Sequence, residues 1–299
     1  MGRRSARGAL VALTAAALRD LPLREAPLAV LDLEMTGLDP TKDRVCEVAI
    51  VRTDGAEVQA ELHSLVRPGM KLSAGAKRVT GLQERDLIGA PPFSDVAEAV
   101  AGLLDGAIVL SHNVAHDLAF LHKAFDEAEI LWPPPTTADT LLMARRLFAF
   151  PKNDLKSVAA QLGLPPPAHR ALADAHTTLA VWRRMLDVLD PEGSLTFGEL
   201  DDLVNALAPN SPQRLVQQRV LKDALRSQRS VFIAYASTEP GAIVAPPTRR
   251  EIAIWRLKVP YIQAWCYLRG GERIFRLDRI RTVEEGVRVY EIPPHDPRI

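Results

Sequence analysis

Two carboxylates, Asp32 and Glu34, stand two residues apart at the end of an apolar run from Leu28 to Leu33. The run reads as a central strand buried on both faces, and strand alternation puts both carboxylates on one face of it. A single acidic residue at a strand end is commonplace. A pair inside an apolar run, followed by Thr36-Gly37, asks for a chemical reason, because buried like charges need a counterion. Two more carboxylates sit at helix starts: Asp117 after Ser111-His112-Asn113, and Asp174 five residues after His169. Together the four could hold two divalent cations about 3.5–4 Å apart, the clamp that stabilises attacking and leaving oxygens in phosphodiester cleavage. Oxygen-only ligands favour Mg²⁺ or Mn²⁺ over zinc.

The segments DLEMTGLDP, SHNVAHDLAFL and HRALADAHTT resemble the three motifs of the DEDDh 3′→5′ exonucleases, in the style of the proofreading subunit of bacterial replicative DNA polymerase. RVTGLQERDLIGAPPF and ADTLLMARRLF fall where that family has its substrate loop and its Asp-Thr helix. The resemblance covers residues 27–190. It implies a ribonuclease H-like α/β domain with a mixed central sheet. Asp32, Glu34, Asp117 and Asp174 become ligands of two Mg²⁺ or Mn²⁺ ions, and His169 becomes the general base, since a histidine can accept a proton near neutral pH. Thr36 and Gly37 would present backbone to the terminal nucleotide, Leu38 would wedge against its base, and Asn113 would orient the substrate backbone. The implied partner is nucleic acid with a free 3′ end, single-stranded DNA ahead of RNA, with nucleoside 5′-monophosphates released. RNA-trimming relatives use the same site. The reading from another class is a silent nucleic-acid or ligand sensor, against which all five residues being present argues. Leu33 and Met35 depart from the usual threonines, and His116 stands where an aromatic normally precedes Asp117. Asp139 reads as a cap for the helix after it, and Glu47 as structural.

The elements that must position these groups alternate along the chain. Strands are expected at Leu28 to Leu33, Val45 to Arg52, Leu62 to Arg67 and Ala107 to Leu110. Helices are expected at Phe93 to Leu104, through Asp117 to Ala128, at Leu141 to Phe148, Leu155 to Leu162 and Ala171 to Leu189, an α/β pattern. Before them, residues 1–26 read as an amphipathic helix, with Leu10, Leu13, Ala17, Leu18 and Leu21 at helical spacing; the alternative is a short export signal. Beyond residue 190 an acidic linker and a basic helix, residues 191–225, lead to five short strands over 226–295, read as a small Sm/SH3-like β-barrel.

SVFIAYASTEPG, RREIAIW and PYIQAWCYLRGGERIFRLDRI resemble a WYL domain, although only Tyr261 survives of the naming tripeptide. That resemblance implies a nucleic-acid or ligand sensor, with Tyr261, Arg276, Arg279 and Arg250 as the positions to carry over. Alternatively, Tyr261, Trp265 and Tyr267 fill a small core.

Composition agrees with a two-part globular chain. The 299 residues hold 37 Lys plus Arg against 37 Asp plus Glu, 47% apolar and 25% charged, which excludes disordered and collagen-like classes. The charge is unevenly placed: residues 212–299 carry 16 basic and 9 acidic side chains, a net +7, suited to a polyanion. No apolar run approaches the roughly 18 residues of a membrane span. Cys46 and Cys266 are far apart with no CxxC spacing, so a reducing, cytoplasmic compartment fits.

Overall fold

A computed structural model describes residues 13–148, 150–208, 210–236 and 247–293. The expected helical residues before 13, including Leu10, lie outside that set. Two compact units form: residues 1–141 with 154–200, and residues 142–153 with 201–299.

In the first unit, a short α1 (Ala15–Asp20) precedes β1 (Leu28–Met35), β2 (Val45–Asp54) and β3 (Glu57–Leu65), an antiparallel meander. Then come α2 (Ala74–Thr80), α3 (Phe93–Leu104), β4 (Ile108–Ser111), α4 (Val114–Glu127) and β5 (Thr137–Asp139). β4 lies parallel to β1, and β5 parallel to β4, so the sheet order is β3-β2-β1-β4-β5 and the sheet is mixed, as expected. After α5 (Thr140–Leu147) and α6 (Leu155–Gln161), the long α7 (Ala171–Leu189) packs on β1 and β2.

Alternation along β1 explains the layering. Ala29, Leu31 and Leu33 join a core with Val48, Ile50, Phe120 and Phe125 under α3 and α4. The even positions, which end in Asp32 and Glu34, belong to the other face of the strand. α7 contributes the fully buried Trp182 and Met185, each burial of that size contributing about 1.5–3 kcal/mol. β3 starts five residues earlier than its sequence suggests, because the added residues 57–61 are mostly polar and do not extend the apolar run.

The second unit comprises α5 from Leu142 on, α8 (Phe197–Ala206) from Asp201 on, α9 (Pro212–Ser227) and five strands: β6 (Arg229–Tyr235), β7 (Thr248–Lys258), β8 (Tyr261–Cys266), β9 (Gly271–Arg276) and β10 (Ile280–Val289). The expected Sm/SH3-like barrel is not formed. The sheet runs β10-β6-β7-β8-β9 and stays open, with β9 and β10 at opposite edges. The turn Leu277–Arg279 sends the chain from β9 to β10, and β10 pairs with β6. Closure is not needed to bury the apolar face, because α9 covers it: Leu221 and Ala224 pack with Val231, Ile233, Ile252 and Ile254. Among the described residues no helix is long and apolar enough to cross a membrane.

Candidate active site

The carboxylates meet at the carboxyl ends of the parallel strands β1 and β4, where open α/β sheets place their ligand crevices. Asp32 and Glu34 come from β1, and Asp174 from the first turn of α7. One oxygen from each of these three lies within 4.8 Å of the others. Asp117, in the first turn of α4, approaches the cluster from the side; Ser111, at the end of β4, donates its hydroxyl to Asp117 Oδ2 at 2.7 Å.

The charges around this cluster are mostly negative, and Arg170 at Glu34 and His169 at Asp174 offset them only in part. Burial first, then repulsion from Asp117 and Glu34, raises the Asp32 carboxyl well above its ordinary range. Burial, then Glu47, Asp174 and Asp117, pushes Glu34 up to about 8. Burial raises Asp117 to about 7 against the Ser111 hydrogen bond. Asp174 is also raised by burial, opposed by the Ala168 amide that it accepts at 2.8 Å. An all-oxygen donor set with surplus negative charge fits a hard divalent cation.

His169 is exposed at the end of the proline loop, in a left-handed conformation with φ of 55°. Its chain neighbours are both tethered: Ala168 to Asp174, and Arg170 to the fully buried Glu47.

The turn after β1 is held from inside. Thr36 is fully buried; its amide donates to the Arg44 carbonyl, its carbonyl accepts the Ser73 amide, and its hydroxyl donates to Asp43 Oδ1 at 3.1 Å. Asp43 Oδ2 also accepts the Asp39 amide. From α4, Lys123 Nζ donates to the carbonyls of Pro40 and Thr41, both at 2.8 Å. Gly37 and Leu38 are left facing an open groove of about 410 Å³, lined also by Glu34, Met35, Val79 and His116. Leu38 is 83% exposed. Asn113 adopts φ 83° at the start of α4. Sequence reasoning missed Val79, on the polar-looking α2, and the Asp43–Lys123 support. Asp139 caps the backbone of its own helix at Leu141 and also accepts the Asn113 and Val114 amides of α4.

In the second unit, Tyr261 and Arg276 are register partners, and the Arg276 guanidinium lies 5.7 Å from the Tyr261 ring while bridging Asp278 with both nitrogens. Arg250 is buried on the other face, with Ile252 and Ile254, and donates to Thr248. Arg279 lies in the turn before β10. Ile262, Ala264 and Cys266 are the inward positions of β8, so Tyr261 and Trp265 point away from the core. On that outer side Arg249 lies over Phe232 and Arg288 over Tyr267, pairs that strand parity could have suggested.

Residues 29–182 match the Exonuclease (RNase T) family model, and residues 218–285 match the WYL domain model. The DNA polymerase III PolC-type protein of Thermotoga maritima is 31% identical over 224 residues, covering 72% of this chain and 16% of that protein. The chain therefore spans a small part of the PolC-type relatives' length. The DNA polymerase III subunit epsilon of Aquifex aeolicus is 30% identical over 169 residues, 56% of this chain and 84% of its own. Among solved structures, E. coli Exonuclease I in complex with a dT13 oligonucleotide gives a TM-score of 0.52 at 15% identity, over 86% of this chain and 65% of that one, a likeness of fold. Because the exonuclease model spans more than half of the sequence and the epsilon relative matches along most of its own, the chain belongs to the DEDDh-type exonuclease family and carries a WYL domain behind the exonuclease fold.

Proposed function

We propose that this protein is a metal-dependent 3′→5′ exonuclease that shortens single-stranded nucleic acid, DNA in preference to RNA, and releases nucleoside 5′-monophosphates. The observation that carries the reading is the buried carboxylate cluster of Asp32, Glu34 and Asp174, with Asp117 beside it, opening through Glu34 on a groove wide enough for a nucleotide. The Exonuclease I structure of like fold is a complex with a dT13 oligonucleotide, which supports the substrate class.

In this reading Asp32, Glu34, Asp117 and Asp174 hold two Mg²⁺ or Mn²⁺ ions. When bound, the cations offset the charge of the scissile phosphate and lower the pKa of the attacking water. The rest falls to the chain. His169, exposed beside the Asp174 loop, accepts the proton of the attacking water. Gly37 and Leu38 shape the groove that receives the terminal nucleotide, Thr36 keeps their turn rigid from below, and Asn113 orients the strand at the mouth of α4. In the WYL unit Tyr261 offers a stacking face and Arg276 and Arg279 offer charge to a nucleic acid or a regulatory ligand; Arg250, being buried, supports the Tyr235 ring.

The test is degradation of 5′-labelled single-stranded DNA and RNA of matched sequence with Mn²⁺ or EDTA, comparing wild type with Asp174→Ala. The expected result is a Mn²⁺-dependent ladder shortening from the 3′ end, faster on DNA and absent in the variant. No cleavage of either polymer, with binding retained, would make the chain a sensor on a silent nuclease fold.

A further inference from the structure

The ligand cluster leaves one nearby carboxylate unused. Glu47 on β2 is the register partner of Glu34, is fully buried, and would add a further negative charge to the site. It is held from two sides. Arg170 donates Nε and Nη2 to it, at 3.0–3.2 Å, and His63 Nε2 lies 2.6 Å from the same carboxylate. Arg170 directly follows His169 in the chain.

We propose that the Glu47–Arg170 pair is a positioning device for His169, resting on the reading of His169 as the general base. His169 is exposed and occupies a left-handed backbone conformation that residues with a Cβ adopt uncommonly, histidine more often than most. The residues on either side hold it there. Ala168 is tied to the ligand Asp174, and Arg170 is tied by a two-point fork to the sheet beside Glu34. A two-point fork fixes the direction of the guanidinium, and through it the residue's backbone, where a single ammonium contact would leave rotation free. Glu47 is buried but the Arg170 side chain is 44% exposed, and such a pair is in general a weak source of stability, so its two-point geometry is better accounted for by the orientation it imposes. Arg170 and Glu47 touch no substrate in this account; beyond their charge at Glu34, they act through His169.

The experiment is a double-mutant cycle in the full chain, using a 5′-labelled single-stranded DNA oligonucleotide and Mn²⁺, with Arg170→Met, His169→Ala and their combination. Arg170→Met is expected to lower kcat by about 30-fold with KM changed by less than about two-fold, and to change kcat by less than about two-fold once His169 is already alanine. Arg170→Lys should recover part of the loss, and Glu47→Gln should resemble Arg170→Met. Amide hydrogen exchange of residues 168–170 in the metal-free protein should be faster in Arg170→Met than in wild type, with α7 protected equally in both. An equal kcat loss with and without His169, or unchanged exchange in that loop, overturns the positioning role. Wild type that never shortens DNA from the 3′ end would refute the exonuclease reading instead, and the exchange comparison would still decide whether Arg170 holds the loop.

Discussion

Gly37 sits directly against the carboxylate of Asp43: a Cβ built on Gly37 would lie 2.3–2.5 Å from all three carboxyl atoms, well inside van der Waals contact. The glycine of the first motif is therefore required by space rather than by backbone conformation, since its φ is not in the left-handed region. Asp43 uses its two oxygens to hold Thr36 and the Asp39 amide, and so fixes the turn that presents Leu38 to the groove. Gly37→Ala must push that carboxylate off both partners. The expected cost is about 1–2 kcal/mol in urea unfolding, with KM for a single-stranded oligonucleotide rising by about 10-fold while kcat changes less. Unchanged KM would mean that the turn does not shape the nucleotide groove.

The carboxylate cluster gives the metal-free protein a pH dependence of definite sign. Glu34 is held at about 8 and Asp117 at about 7 in the folded chain, whereas unfolded carboxylates ionise at about 4. Folding therefore favours the protonated forms. Their contribution is complete below the unfolded value and is lost as pH rises through the folded values. In EDTA, thermal stability is expected to fall between about pH 5.5 and about pH 8.5. Glu34→Gln should flatten that slope and melt several degrees higher than wild type at about pH 8.5, while gaining less from Mn²⁺. Differential scanning fluorimetry at these pH values checks both arms, and parallel slopes for the two proteins would contradict the assignment.

β1 and its carboxylates are legible in the sequence because charge inside an uninterrupted apolar run is costly to bury unless a counterion or a reaction uses it, and because Asp174 follows His169 across a single helix start. Other parts were hidden for physical reasons. α2 is seven residues long and carries Lys77 and Arg78 in its last turn, so it shows little apolar periodicity, yet it forms one wall of the groove. Five short strands separated by turns fit an open sheet covered by a helix as well as they fit a barrel, and only the strand order, with β9 and β10 at opposite edges, decides between them. Glu47 reads as an ordinary strand residue until register sets it opposite Glu34, with Arg170 arriving from far along the chain.

Asp139 does more than its place before a helix suggests. Its expected capping role is present, at the Leu141 amide, but the same carboxylate also takes the Asn113 and Val114 amides and so fixes the start of the helix that carries Asp117. Asp139→Ala strips three amides of their acceptor, two of them buried. It should cost about 2–3 kcal/mol of stability, more than the loss of a single cap. Asp139→Asn keeps an acceptor but loses the charge and one oxygen, and should cost about half as much. Urea denaturation of the two variants checks the order, and a cost below about 1 kcal/mol for the alanine would show that α4 starts without this support.

With Asp117 as a proposed cation ligand, Ser111 sets how readily protons compete with a cation there. Its hydroxyl is the side-chain donor on that carboxylate and opposes the rise that burial imposes. Removing a donor from an ionised, buried carboxylate shifts it further toward the protonated form. A cation must then displace a proton that is bound more tightly near neutrality. Ser111→Ala should weaken Mn²⁺ binding, followed by isothermal titration calorimetry, by about 10-fold at about pH 7 and by clearly less at about pH 9, where the carboxyl is ionised in both proteins. A loss of equal size at the two pH values would instead mean that the hydroxyl fixes the direction of the carboxylate, and that the proton balance at Asp117 is set by burial alone.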